Sequence, residues 1–197
     1  RPMSGSTSIP MAGWPGSGSS DAPPREVPVT VGVAELDAMS EAQAVELLAA
    51  CCGANRWVSG MMARRPFRSR GAILEAADLE WDTLTPGDWR EAFSHHPRIG
   101  EQQAAVPQSE RGRRWSAGEQ RGASRITADI QKALARVNQE YEARFGYIYI
   151  VCATGKSAGE MLAIARQRLS NDPESELQVA AWEQRNITRN RLETLLR

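Results

Sequence analysis

A single stretch of the chain, Tyr147-Ile148-Tyr149-Ile150-Val151-Cys152, has the aromatic and β-branched composition of a strand. One strand has nothing to pair with, so it reads as buried extended chain running between helices. The fold is therefore expected to be all-α, a single-domain helical bundle with one short extended segment. Helix signals fill the rest from Leu36 onward. Ser40 caps a helix with Gln43 as its capping-box partner, and Ala44, Val45, Leu47, Leu48 and Cys51 supply the apolar face. A short helix with Trp57, Met61 and Met62 ends before Arg65-Pro66-Phe67, because proline restricts the residue before it. Ile73, Leu74, Ala77 and Leu79 mark a third. Thr85-Pro86 provides the cap and first residue of a fourth, which leads through Trp89 and Phe93 to His95 and His96.

The segment His96-Pro97-Arg98-Ile99-Gly100 breaks that helix and opens a long polar connection, a feature more often functional than accidental. Ser116, with Glu119 three residues on, caps a long helix that runs through Ile126, Ile130, Leu134, Val137 and Tyr141 to Gly146. Ser157 and Glu160 cap another. Pro173 opens the last, which carries Leu177, Ala181, Ile187 and Leu192.

Residues 1–33 are rich in Gly, Ser and Pro, too poor in apolar surface to offset the entropy of ordering. They are read as a disordered tail, and residues 34–197 as the domain. The 24 basic and 24 acidic side chains balance, so no global field favours nucleic acid or an anionic membrane. A small neutral or singly charged ligand suits that balance. No apolar run approaches membrane-spanning length and no secretory leader is visible, so a soluble, cytoplasmic protein is expected. Cys51, Cys52 and Cys152 lack the spacing of a disulfide framework, and adjacent His95 and His96 are poorly arranged to chelate one ion. No metal site is expected.

Several segments admit a dull reading beside a functional one. Ala153-Thr154-Gly155-Lys156-Ser157 resembles part of a phosphate-binding loop, but that loop needs glycine where Ile150 stands. A tight turn into a capped helix is the better reading. His96 either caps the last carbonyls of its helix or exchanges protons near neutral pH. Ser116-x-x-Glu119-Gln120 is a capping box, or a hydroxyl, a carboxylate and an amide gathered at a helix N-terminus to meet a polar ligand. Arg191 is equally a solvated charge on the last helix, the usual fate of an arginine in such a stretch. Trp57, Trp81 and Trp89, with Met61 and Met62, read as core.

The segments CCGANRWVSGMMARRPF, HHPRIGE, SAGEQ, YEARFGYIYIVCATGKSAGEML and ITRNRLETLL, in this order and spacing, resemble the 2-oxo-4-hydroxy-4-carboxy-5-ureidoimidazoline (OHCU) decarboxylase family over residues 36 to 197. The resemblance implies an all-α, commonly homodimeric enzyme without metal or organic cofactor, which forms (S)-allantoin and CO2 in urate catabolism. It implies that His96 is the main acid/base group, with Pro97 beside the ligand. Ser116, Glu119 and Gln120 fall on the family's S-x-x-E-Q motif. Tyr149, Ile150, Val151, Cys152 and Ala153 would line the pocket with backbone groups, and Arg191 would hold the substrate. Glu119 and Arg191 join His96 as expected catalytic residues. Tyr147 and Tyr149 stand where the family commonly has phenylalanine, and His95 adds a second imidazole. The alternatives are the same scaffold acting on a related ureido or hydantoin acid, or a non-catalytic interaction module.

Overall fold

The computed structural model describes residues 30–99 and 128–196. Among these residues the chain forms eight helices: α1 (Val33–Ala38), α2 (Glu41–Cys51), α3 (Asn55–Ala63), α4 (Arg70–Asp82), α5 (Pro86–Ser94), α6 (Ala128–Phe145), α7 (Ala158–Arg168) and α8 (Pro173–Leu195). None of them is long and apolar enough to cross a membrane. The local start signals act as expected. Ser40 with Gln43 and Ser157 with Glu160 form capping boxes, and Thr85 forms one with Asp88 ahead of Pro86. Asp172 caps α8 ahead of Pro173. Gly146 ends α6 at φ +78°, a left-handed conformation that glycine adopts without steric cost.

Residues 147–152 are buried and belong to no helix or strand, as expected of a segment that runs between helices. Their backbone cannot be satisfied by a sheet, so side chains from three helices do it instead. Asn138 Oδ1 of α6 accepts from the Tyr149 N–H at 2.8 Å, and Glu183 Oε2 of α8 accepts from the Cys152 N–H at 2.7 Å. Arg168 of α7 donates to the Ile150 carbonyl at 2.9 Å. The same guanidinium is held by Glu176 of α8 and by the Tyr141 hydroxyl, and it lies over the Tyr149 ring. Glu176 is fully buried. A buried charge is tolerable only when paired and hydrogen-bonded, and this one is both.

The centre of the bundle is α8, against which α2, α4 and α5 pack. At 23 residues it is about 35 Å long. Around it lies one apolar core that includes Leu36, Leu48, Trp57, Met61, Ile73, Phe93, Leu134 and Leu192. Trp57 meets the need of its indole by donating to the Ala77 carbonyl of α4. Leu79 points outward, and Trp81 supplies the buried end of α4 instead.

The described residues begin four positions ahead of the boundary expected at residue 34. Val31 is 2 % exposed and its N–H donates to the Leu195 carbonyl at 2.7 Å, tying the start of the domain to the end of α8. A chain that starts at Thr30 should therefore keep the melting temperature of the full chain. One that starts at Ala34 should lose about 1.5–3 kcal/mol of stability in urea titration, the usual value of a buried valine side chain. Equal stability of the two truncations would place Val31 outside the folded unit.

Candidate active site

The expected break at His96-Pro97 is where α5 stops. His95 is the C-cap, and the His96 N–H closes on the Phe93 carbonyl at 3.1 Å. The Phe93 ring packs against Tyr147 with centroids 5.2 Å apart, so the end of α5 leans on the extended segment. Arg98 forks onto Glu142 of α6 at 2.8 and 2.9 Å and holds the chain after Pro97. The two histidines then differ sharply. His95 is half-buried and lies against Gly53, where a Cβ would run into its ring. His96 is 8 % exposed and turns toward α8.

The face of α8 that it meets is polar. Gln184, Thr188 and Arg191 recur at helical spacing, so they line one side of the helix. All three are buried. The guanidinium of Arg191 donates to the Ala50 carbonyl in the last turn of α2 at 3.3 Å, a position where a helix terminus favours a cation. Gln184 Nε2 donates to Thr188 Oγ1 at 3.3 Å, and the Cys52 thiol interacts with the Thr188 hydroxyl. Gln184 Oε1 faces the His96 imidazole but closes no hydrogen bond of normal geometry. Leaving a buried acceptor unmet costs on the order of 1–3 kcal/mol.

Burial is the main force on the protonation of His96, and it holds the imidazole pKa well below the ordinary 6.5. The Arg191 charge adds to the depression, and so does His95, while Gln184 opposes it. The imidazole is therefore neutral at physiological pH. Burial likewise pushes the Cys52 thiol up to about 11, against the pull of Arg191. The described part of the site thus combines a neutral proton acceptor with a fixed cation.

Of the residues expected from sequence, the structure brings His96 and Arg191 together and sets Pro97 beside them, partly exposed. Arg191 is not a solvated charge; at 6 % exposure it belongs to the interior. In the 149–153 segment, the Tyr149 and Cys152 N–H groups are already committed to Asn138 and Glu183. The Ile150, Val151 and Ala153 N–H groups have no acceptor among the described residues, so they are the donors that a ligand could take. Tyr149 directs its hydroxyl to the Met161 carbonyl of α7. Cys152 reaches α8 through Asn190, next to Arg191, at 3.2 Å. Ser116, Glu119 and Gln120 lie outside the described residues, as does the cap expected for their helix.

Sequence reading missed Gln184, Thr188 and Cys52. The signal was available in the spacing of Gln184, Thr188 and Arg191, since polar residues at i, i+4 and i+7 share a face. That face looked like a solvated one because the rest of the helix is rich in charge. The conspicuous segment at 51–67 has a structural explanation. Gly53 admits His95, Asn55 donates twice to Glu91 of α5, and Gly60 admits the Glu80 carboxylate. Arg65 gathers the carbonyls of Leu36, Asp37 and Met39.

Comparison with known proteins places this geometry. The chain is 35 % identical over 145 residues to the "Uric acid degradation bifunctional protein TTL" of Arabidopsis thaliana, covering 74 % of this chain and 45 % of that protein. It is 34 % identical over 83 residues to the 2-oxo-4-hydroxy-4-carboxy-5-ureidoimidazoline decarboxylase of Amia calva, covering 41 % of this chain and 47 % of that one. The chain thus spans less than half the length of these curated relatives. A crystal structure of OHCU decarboxylase in the presence of (S)-allantoin superposes with a TM-score of 0.66 at 31 % identity, over 77 % of this chain and 97 % of that one. A crystal structure of (S)-allantoin synthase superposes at 0.62 over 84 % of this chain and 54 % of that one; at 15 % identity, this likeness concerns the fold alone. The sequence model described as OHCU decarboxylase matches residues 37–193, and the chain belongs to that family.

Proposed function

We propose that the protein decarboxylates 2-oxo-4-hydroxy-4-carboxy-5-ureidoimidazoline to (S)-allantoin and CO2 in urate degradation, with His96 as the proton acceptor. The observation that carries this reading is a neutral, buried imidazole facing a buried guanidinium in a chain of this family. The carbon that loses CO2 bears a hydroxyl and adjoins a C=N bond. As the C–C bond to the carboxylate breaks, its electron pair moves toward that C=N, and the substrate serves as its own electron sink. The hydroxyl gives its proton to His96 and becomes a carbonyl. Two protons balance the step, one to the nitrogen of the former C=N and one to a single face of the neighbouring carbon, which fixes the configuration; the hydroxyl supplies one of them by way of His96 and solvent the other. Catalysis needs proton transfer and held geometry, and no organic cofactor or metal.

Arg191 offers a planar fork to an anionic or carbonyl part of the substrate. The open N–H groups of Ile150, Val151 and Ala153 suit the acceptors of the ring and the ureido group. Ser116, Glu119 and Gln120 complete the site in this reading, with Glu119 as a second proton-transfer group. The protein is further read as a cytoplasmic homodimer. Buried Cys52 and Cys152 thiols are consistent with a reducing compartment, and the exposure of Trp182 and Val179 on α8 with a protein contact.

The two histidines separate in this account. His96→Asn keeps a polar side chain but cannot carry the proton, so kcat should fall by about a hundred- to ten-thousand-fold. His95→Asn should change it far less, and circular dichroism of both folded variants should match the parent. Rapid turnover by His96→Asn would remove the proposed base.

The pH profile has a definite sign. Protonating His96 means charging a buried ring beside Arg191 and His95, so the neutral base persists as pH falls. The kcat/KM of the parent should stay flat from pH 8 down to 6.5 and decline only below that. A midpoint above 6.5 would contradict the depressed pKa.

Arg191→Lys tests the fork. An ammonium on the same helix keeps the charge but cannot donate in parallel, so KM should rise on the order of ten- to a hundredfold. Near-parental kinetics would show that charge alone is needed there.

A further inference from the structure

Gln184 is a fully buried amide in the middle of α8. Its two ends are not equivalent. The NH2 end is held by Thr188 Oγ1 at 3.3 Å, and the Thr188 hydroxyl is itself engaged with the buried Cys52 thiol. This leaves the carbonyl end directed at His96, buried and with no other partner among the described residues. A glutamine that only filled space would be replaceable by an apolar side chain of equal volume, with no acceptor to leave unmet. Arg191 cannot serve the imidazole in this way, because a guanidinium has only donors. Among the described residues, Arg191 and His95 are the charged or titratable groups that act on the ring, and neither is a carboxylate.

We propose that Gln184 is a positioning residue for His96. Its side-chain carbonyl takes the imidazole N–H and holds the neutral ring in one tautomer, whose other nitrogen keeps its lone pair for the substrate hydroxyl. The proposal rests on the reading of His96 as proton acceptor. In a neutral imidazole one nitrogen donates and the other accepts, and the partner of the first decides which is which. A carboxylate in this place would also orient the ring, but it would stabilise the protonated form. Glutamine supplies the orientation without the charge, which suits a base that must stay neutral beside Arg191. Thr188 and Cys52 keep the amide from flipping.

The chain contains two histidines, so ring 15N spectra of the full chain resolve them, with His95→Asn supplying the assignment. In the parent, His96 should show one dominant tautomer. In Gln184→Met, which keeps length and loses the acceptor, its two ring nitrogens should move toward the averaged shifts of a mixed population. The kcat should fall roughly ten- to a hundredfold, as for a misplaced reacting group, with KM changed less than about twofold. Thr188→Val frees the amide to turn and should move the same resonances in the same direction to a smaller extent. Gln184→Glu should shift the acid limb of kcat/KM to higher pH. Unmoved ring resonances in Gln184→Met would overturn the proposal, whatever the activity. Should that variant fail to fold, unmoved resonances in Thr188→Val would overturn it equally. If the tautomer mixes while turnover stays at the parental rate, the positioning by Gln184 holds and the role of His96 as base is what fails.

Discussion

The structure depends on one helix that must bury polar groups inside an apolar bundle. Glu176, Glu183, Gln184, Thr188 and Arg191 of α8 are all withdrawn from solvent. Each such group costs on the order of 1–3 kcal/mol if left without a partner, so the packing around α8 is constrained at several points along its length. Glu176 answers Arg168, and Glu183 answers the Cys152 N–H. Through these contacts the helix holds the extended segment that no sheet supports. Sliding α8 by one turn would break both at once and strand buried charges. The register of the central helix therefore sets the position of Arg191 and Gln184 relative to His96. The core and the candidate site are one arrangement seen from two sides.

The electrostatics of the site follow from that arrangement. Burial and the neighbouring guanidinium act on His96 in the same direction, and both favour the neutral ring. A base that is neutral well below pH 7 gives up driving force for proton abstraction, but it is always in the form that accepts. In the proposed reaction, the cation beside it would bind the anionic substrate and stabilise the negative charge that moves onto the ring. The proposed substrate brings its own electron sink, so a weak but well-placed base would be a sufficient catalyst.

Much of the fold was legible because its signals are local. Ser40, Thr85, Ser157 and Pro173 mark helix starts through chemistry confined to one turn, and Gly146 marks an end in the same way. The lone extended segment was legible by composition. What escaped was long-range. Gln184 and Thr188 sit in a helix dense with charge, where sequence cannot tell which polar face is turned inward, and Arg191 stood out there only through the family resemblance. Leu79 shows the converse, an apolar residue on the outer face of its helix. Val31 packs into the core and pairs with Leu195 in the last turn of α8, a distant contact that no local pattern could announce. In the candidate site, the family resemblance chose between the two readings of His96, since a histidine before proline is equally a helix cap, and it alone pointed to the backbone of 149–153.

The most direct test of the account is to give the protein freshly generated OHCU and follow the circular dichroism of the product against spontaneous decay in buffer. The account predicts faster loss of substrate and an accumulating signal of (S)-allantoin, because the site accepts the hydroxyl proton while the ligand is held on one face. Decay at the buffer rate to an optically inactive product would contradict it.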